Sequence, residues 1–183
     1  KIDIDTDQII PKQFLKRVER NGFGQFMFYN WRYKKQGVPN TDFILNWPSY
    51  SGCSILATRR NFGSGSSREH AVWALSDFGI KCIIAPSFAD IFYNNCFQNG
   101  ILPIVVDEET ASKLIEKSTA SPGCRISIDL NEQSIKDIEG DIDIKFDIDG
   151  FRKYTVLNGL DDIGLTLKHE AKIRIYEEEN LQK

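Results

Sequence analysis

Asn61-Phe62-Gly63-Ser64-Gly65-Ser66-Ser67-Arg68-Glu69-His70-Ala71 crowds glycines, serines, an arginine, an acid and a histidine into one turn, and the helix-forming run Val72-Trp73-Ala74-Leu75 follows at once. A glycine-rich turn feeding a helix N-terminus is an anion-binding arrangement. Backbone N–H groups without intrahelical partners point outward there, and the helix dipole favours negative charge. Ser66 and Ser67 add two hydroxyls. Arg68 adds a planar guanidinium whose fork can hold a carboxylate by two hydrogen bonds. Part of the segment has a simpler reading: Ser66 and Glu69 stand in the S-x-x-E order of a capping box, the serine bonding forward and the glutamate reaching back. A cap leaves Gly63, Gly65, Ser67 and Arg68 without a role. The run is not a P-loop, having no G-K-S/T, and it lacks the third glycine of G-x-G-x-x-G. No glycine closes a G-x-S-x-G elbow either. The residues alone predict a carboxylate or phosphate site on a helix N-terminus.

Strands and helices alternate on either side of this turn. Cys53-Ser54-Ile55-Leu56-Ala57 reads as a strand entering it, and the helix beyond it runs to about Phe78, where Gly79 stops it. Residues 80–85 read as a buried strand, 87–98 as a helix closed near Gly100, 101–106 as a further strand and 108–117 as a third helix. Past the turn Ser121-Pro122-Gly123 the period changes to two. Residues 125–151 alternate apolar and polar, as antiparallel strands with one wet face do, and their aspartates read as solvated positions, not as a metal site. A last helix is expected from Asp161 to about Glu178, with Glu177-Glu178-Glu179 as a charged tail. Residues 33–46, rich in turn formers and carrying Lys34-Lys35, form the segment expected to be mobile.

The chain has 183 residues, 41% of them hydrophobic, enough for one core and a single domain over 1–183. A net charge of −3 and a pI near 5.5 argue against a nucleic-acid binder. No apolar stretch reaches the ~18 residues that crossing a membrane requires. The chain opens on Lys1-Ile2-Asp3 with neither a methionine nor a signal-peptide core. Cys53, Cys82, Cys96 and Cys124 form no C-x-x-C pair, so they make no zinc or iron–sulfur ligand set of the close-paired kind. They read as reduced structural thiols of a cytoplasmic protein. No metal or cofactor is expected on this chain itself.

The run from Asn61 to Leu75 resembles the signature of the swivelling domain of the aconitase superfamily. Asp5-Thr6-Asp7-Gln8-Ile9-Ile10-Pro11, followed by Phe14-Leu15-Lys16, resembles a second signature of the same domain. Phe23-Gly24, Trp31-Arg32-Tyr33 and Ile84-Ala85-Pro86-Ser87-Phe88-Ala89-Asp90-Ile91-Phe92 are similar in order and spacing to the small subunits of 3-isopropylmalate dehydratases. The likeness extends from Asp3 to about Glu170. It implies an α/β fold of the swivelling β/β/α type, a mixed sheet or barrel flanked by helices with antiparallel strands in the C-terminal half; periodicity alone says only mixed α/β. Family members usually carry a short strand before the D-T-D motif, so a native start upstream of Lys1 is expected.

The resemblance also implies a chemistry. Such enzymes are hydro-lyases that move a hydroxyl between adjacent carbons by dehydration and rehydration through an alkene, with a 4Fe–4S cluster as Lewis acid. The cluster is expected on a large subunit, with which this chain would form a heterodimer or a multiple of it. By position, Ser66 would be the base that takes the proton from carbon. Ser67 and Arg68, with Thr6 and Asp7 of the D-T-D motif, would bind or flank the carboxylates of a small dicarboxylate substrate. Glu69, His70, Gly63 and Gly65 would support them from behind. A serine hydroxyl is a weak acid, so helix N–H groups and Arg68 would have to stabilise its alkoxide, each donor by about 3–4 kcal/mol at the transition state. His70 lies one helical turn past Ser66 and invites a Ser–His pairing, but crowding within a turn favours packing, or orienting Glu69 or Arg68. His169 reads as a surface or satisfied core residue. Ser64 departs from the cysteine or acid that other members carry, so position 64 is expected to do no essential work. The favoured substrate is 2-isopropylmalate, isomerised to 3-isopropylmalate by way of 2-isopropylmaleate in leucine biosynthesis. Another 2-hydroxy diacid, such as homocitrate or citramalate, is the alternative, and an anion-binding module without catalysis is the third reading. Selectivity is expected in residues 12–31, where Phe14, Phe23, Phe26 and Phe28 suit an isopropyl group as well as a core.

Overall fold

Two single-turn helices, α1 (Thr6–Ile9) and α2 (Tyr29–Arg32), precede the central sheet in a computed structural model that describes residues 1–16, 20–34, 37–160 and 162–180, the side chain of residue 162 excepted. The sheet follows from three apolar runs: β1 (Ile55–Ala57), β2 (Cys82–Ala85) and β3 (Leu102–Val105), parallel and in the order β1-β2-β3. Ile55 lies beside Cys82, and Cys82 beside Leu102. Helix α3 (Glu69–Phe78) carries the chain from β1 to β2, and α4 (Asp90–Gln98) from β2 to β3. After α5 (Glu108–Ala120) comes an antiparallel meander of β4 (Ile126–Asp129), β5 (Ser134–Asp137) and β6 (Asp143–Lys145). Helices α6 (Gly150–Leu157), α7 (Asp162–Leu167) and α8 (Glu170–Asn180) follow.

The parallel sheet is the middle layer, which is why β2 is apolar and buried throughout. Ile83 and Ala85 join Ala71, Val72 and Leu75 of α3, together with Ile9, Ile10 and Phe23 from the N-terminal segment. Cys82 and Ile84 face the other way, onto Leu114 of α5 and Ile135, Ile142 and Phe146 of the antiparallel sheet. In β4 the half-buried Ile126 and Ile128 alternate with the exposed Ser127 and Asp129, as period two requires. Among the described residues no helix is long and apolar enough to cross a membrane.

Three expectations are corrected. Residues 87–89 are extended, not helical, because Phe88 bridges to Phe62. Helix α6 takes residues 150 and 151, the last two of the stretch that reads as strand alternation. Asp149 caps it by accepting the Arg152 N–H at 3.0 Å, and the Arg152 guanidinium lies over the rings of Tyr93 and Phe97 on α4. The expected last helix is split in two by a turn at Lys168 and His169, where the weak helix formers Gly164 and Thr166 precede the break; residue 161 lies outside the described residues. Residues 35 and 36 of the segment expected to be mobile also lie outside them. In its described part, Asn46 Nδ2 donates to the carbonyls of Arg32 (2.6 Å) and Asn40 (2.9 Å), and Asn40 Nδ2 to that of Trp31 (2.9 Å).

Candidate active site

The glycine loop leaves the carboxyl end of β1 clamped between two other extended segments. On one flank the Gly63 N–H donates to the Ile4 carbonyl (2.8 Å) and the Thr6 N–H to the Ser64 carbonyl (2.9 Å). On the other, the Phe62 N–H donates to the Ser87 carbonyl (3.1 Å) and the Ala89 N–H to the Phe62 carbonyl (3.0 Å). The loop thus prolongs the parallel sheet past β1 and β2 and places a cleft at their carboxyl ends, where open parallel sheets bind ligands. Both glycines are required there. Gly63, at φ +77°, presses on Phe92, and a Cβ would stand 2.1 Å from Phe92 Cγ. Gly65, at φ +87°, lies 3.3 Å in the same sense from Asp5 Cβ.

The cleft has a volume of about 250 Å³. Ser66, Ser67 and Arg68 line it from one segment, and Asp90, Ile91 and Phe92 from another. Two helices begin at it: α3 at Glu69 and α4 at Asp90. Their N-cap residues, Arg68 and Ala89, make no side-chain cap hydrogen bond; on α3 the Ala71 N–H donates to the Arg68 carbonyl (3.2 Å), which leaves the N–H groups of Glu69 and His70 as the first-turn donors for an anion. The capping box expected of Ser66 and Glu69 is therefore not formed. Arg68 is the cap, Glu69 is the first helical residue, and Ser66 lies on the exposed loop before it. The capping box of this site is in the other motif: Asp5 accepts the Gln8 N–H at 2.7 Å and Gln8 accepts the Asp5 N–H at 3.2 Å.

The two motifs meet through charge. The Arg68 side chain is 13% exposed and ion-paired with Asp7, with a second guanidinium contact at 3.4 Å; Lys12 Nζ approaches the same carboxylate at 3.6 Å. The Arg68 hydrogen bond foremost, with Lys12 beside it, holds the Asp7 carboxyl below the usual carboxylate range. Asp7 engages one edge of a five-donor guanidinium and leaves the others for a ligand. Thr6, expected to bind substrate, is 1% exposed and donates its hydroxyl proton to the Ser66 carbonyl at 2.8 Å, so that donor props the loop from beneath. Glu69 accepts hydrogen bonds from Asn99 Nδ2 (2.9 Å) and Arg20 (3.1 Å); the Asn99 bond foremost keeps it below its ordinary pKa. His70 packs among rings, 4.6 Å from Trp73 and 5.6 Å from Phe23 between centroids. His169 is exposed in the turn between α7 and α8.

The phenylalanines expected to meet the substrate do not line this cleft. Phe23 and Phe28 are buried in the core, and Phe14 and Phe26 stack on each other at 4.1 Å. Residues 17–19 of that segment lie outside the described ones. Asp90 and Ile91 were not legible as site residues. The signal for them lies in the topology: the Ser87–Asp90 turn follows the strand next to the one that enters the glycine loop.

The cysteines do not fit an iron–sulfur cluster. Cys82 and Cys96 are buried, and among the described residues no cysteine belongs to a close group of three or more side chains of metal-ligand type, whereas a cluster needs converging thiolates. Among the described residues, the one group of metal-ligand type placed close together is Asp137, Glu139 and Asp141. Lys117 Nζ already sits among them, in contact with Asp137, 2.6 Å from Glu139 and 2.9 Å from Asp141.

This architecture is that of an aconitase-type swivelling domain. The family model for the aconitase C-terminal domain matches residues 1–109, and the model for the C-terminal domain of the 3-isopropylmalate dehydratase small subunit matches residues 162–183. The 3-isopropylmalate dehydratase small subunit of Brevibacillus brevis is 56% identical over 177 residues, which span 97% of this chain and 91% of that protein. That of Paenibacillus polymyxa is 55% identical over 175 residues, spanning 96% and 98%. The crystal structure of 3-isopropylmalate dehydratase from Methanocaldococcus jannaschii matches with a TM-score of 0.67 at 27% identity, over 96% of this chain and 93% of that one. The chain belongs to the family of 3-isopropylmalate dehydratase small subunits, each of them one half of a two-part hydro-lyase.

Proposed function

We propose that this chain, as one domain paired with a large subunit in the cytoplasm, isomerises 2-isopropylmalate to 3-isopropylmalate through 2-isopropylmaleate in leucine biosynthesis. The observation that carries the reading is the convergence on one cleft of Ser66, Arg68 and two helix N-termini lacking side-chain caps, in a chain 56% identical to such a small subunit. Arg68 and the N–H groups of α3 bind a substrate carboxylate, with Ser67 at the rim. Ser66 Oγ, as alkoxide, takes the proton from the carbon next to the hydroxyl-bearing one. The C–H electron pair becomes the alkene as the hydroxyl departs with its bonding pair, and on rehydration the same serine returns its proton to the other carbon as hydroxide adds where the proton was lost. A 4Fe–4S cluster, which we assign to the large subunit, supplies the Lewis acidity that makes the hydroxyl a leaving group. The near-buried guanidinium and the helix donors lower the cost of the alkoxide, by about 3–4 kcal/mol each at the transition state.

The test is alkene hydration by the reconstituted pair under anaerobic conditions, followed by the ultraviolet absorbance of 2-isopropylmaleate. Absorbance should fall only when both subunits are present. Ser66→Ala should abolish the loss while changing stability by less than about 0.5 kcal/mol, since the serine is exposed and caps nothing. Wild-type turnover in that variant would remove Ser66 as the base. No turnover by an associated, cluster-loaded pair would exclude isopropylmalate.

A further inference from the structure

We infer that the first turn of α4, Asp90-Ile91, is the wall that selects the substrate: Ile91 receives its uncharged alkyl group, and Asp90 turns away a third carboxylate. The inference rests on the reaction proposed above. An exposed isoleucine alone needs no explanation. Ile91, however, is 55% exposed inside the cleft that also holds Ser66 and Arg68, whereas its neighbour Phe92 is 3% exposed and spent against Gly63. Ile91 is thus the large apolar side chain of the cleft that still has surface to cover. An alkyl group laid on it leaves water on both sides.

The two segments differ in sign. Arg68 and the α3 N-terminus attract carboxylates, while the exposed carboxylate of Asp90, the acid of the α4 first turn, sets a full negative charge against the partial positive charge of its own helix N-terminus. A dicarboxylate with its charges toward Arg68 presents its neutral branch to Ile91. A tricarboxylate in the same pose would set a third carboxylate beside that of Asp90, and like charges side by side discriminate against the wrong partner. The described phenylalanines of residues 12–28 are committed to the core or to each other and offer the cleft no competing apolar wall.

The experiment uses the complete two-subunit enzyme and measures kcat/KM for 2-isopropylmalate, for citramalate, which carries methyl in place of isopropyl, and for homocitrate, which carries a third carboxylate. Ile91→Ala should lower the isopropylmalate-to-citramalate ratio about tenfold, and Ile91→Val by a smaller step in the same direction. Asp90→Asn should raise the homocitrate-to-isopropylmalate ratio about tenfold. Losses shared in equal proportion by all three substrates would mark a structural role and overturn the inference, as would unchanged ratios. Those outcomes presuppose a wild-type enzyme that turns over isopropylmalate. A wild-type enzyme that does not would overturn the proposed reaction and this inference together.

Discussion

Arg68 reaches the cleft from a nearly buried position and is aimed by Asp7, from the other signature motif. The guanidinium is useful because it is a fork, so Arg68→Lys should raise KM for the diacid about tenfold with a smaller effect on kcat, read from steady-state kinetics of the two-subunit enzyme. The same pair makes a pH prediction. Asp7 has its folded pKa lowered by Arg68. Its contribution to stability is therefore complete above the ordinary aspartate pKa of about 3.9 and is lost as pH falls through the lowered value. Asp7 is 40% exposed, so that contribution is modest. Carboxyl-carbon NMR should show Asp7 titrating below the ordinary range in the wild type and moving back toward it in Arg68→Lys, where the two-pronged contact is gone.

At the scale of the element, the loop carrying Ser66 is held from three directions: by Ile4 and Thr6, by Ser87 and Ala89, and by the contact of Gly63 with Phe92. Thr6 gives the sharpest test, because a single hydroxyl ties the α1 motif to the backbone of the proposed base. Thr6→Val keeps the shape and deletes that donor. It should cost about 1 kcal/mol in urea unfolding and lower kcat more than it raises KM, since it loosens the reacting group and leaves the carboxylate clamp in place. Equal loss in both constants would place Thr6 at the ligand instead of beneath the loop.

Across the whole molecule, the antiparallel sheet joins the parallel one through the second core cluster, and Lys117 of α5 reinforces that joint by reaching into the turn between β5 and β6. Lys117 holds Asp137 below its ordinary pKa, ahead of the backbone N–H groups that Asp137 also accepts. The sign follows as for Asp7: the stabilisation is present at neutral pH and disappears as pH falls through the lowered Asp137 value. Lys117→Met should lower the melting temperature at pH 7, and the gap to wild type should narrow on acidification, as scanning calorimetry would show. A gap independent of pH would assign the loss to packing of the lysine stem.

The alternation of strand and helix, the stop at Gly79 and the switch to period two after residue 123 were legible in the sequence because each depends on residues within a turn or two of one another. The glycine loop leading into a helix N-terminus at residues 61–71 was legible for the same reason. Only the tertiary structure decided that Arg68, not Ser66, takes the N-cap position of α3, that Thr6 lies beneath the loop and Asp7 against Arg68, that four promising phenylalanines do not line the cleft, and that Asp90 and Ile91 line the same cleft as the serines. The last of those facts depends on β1 and β2 lying side by side, so that the turns at their carboxyl ends share one cleft. Pairing between strands separated by a whole helix is set by burial on both faces of the sheet, and no local pattern of residues records it.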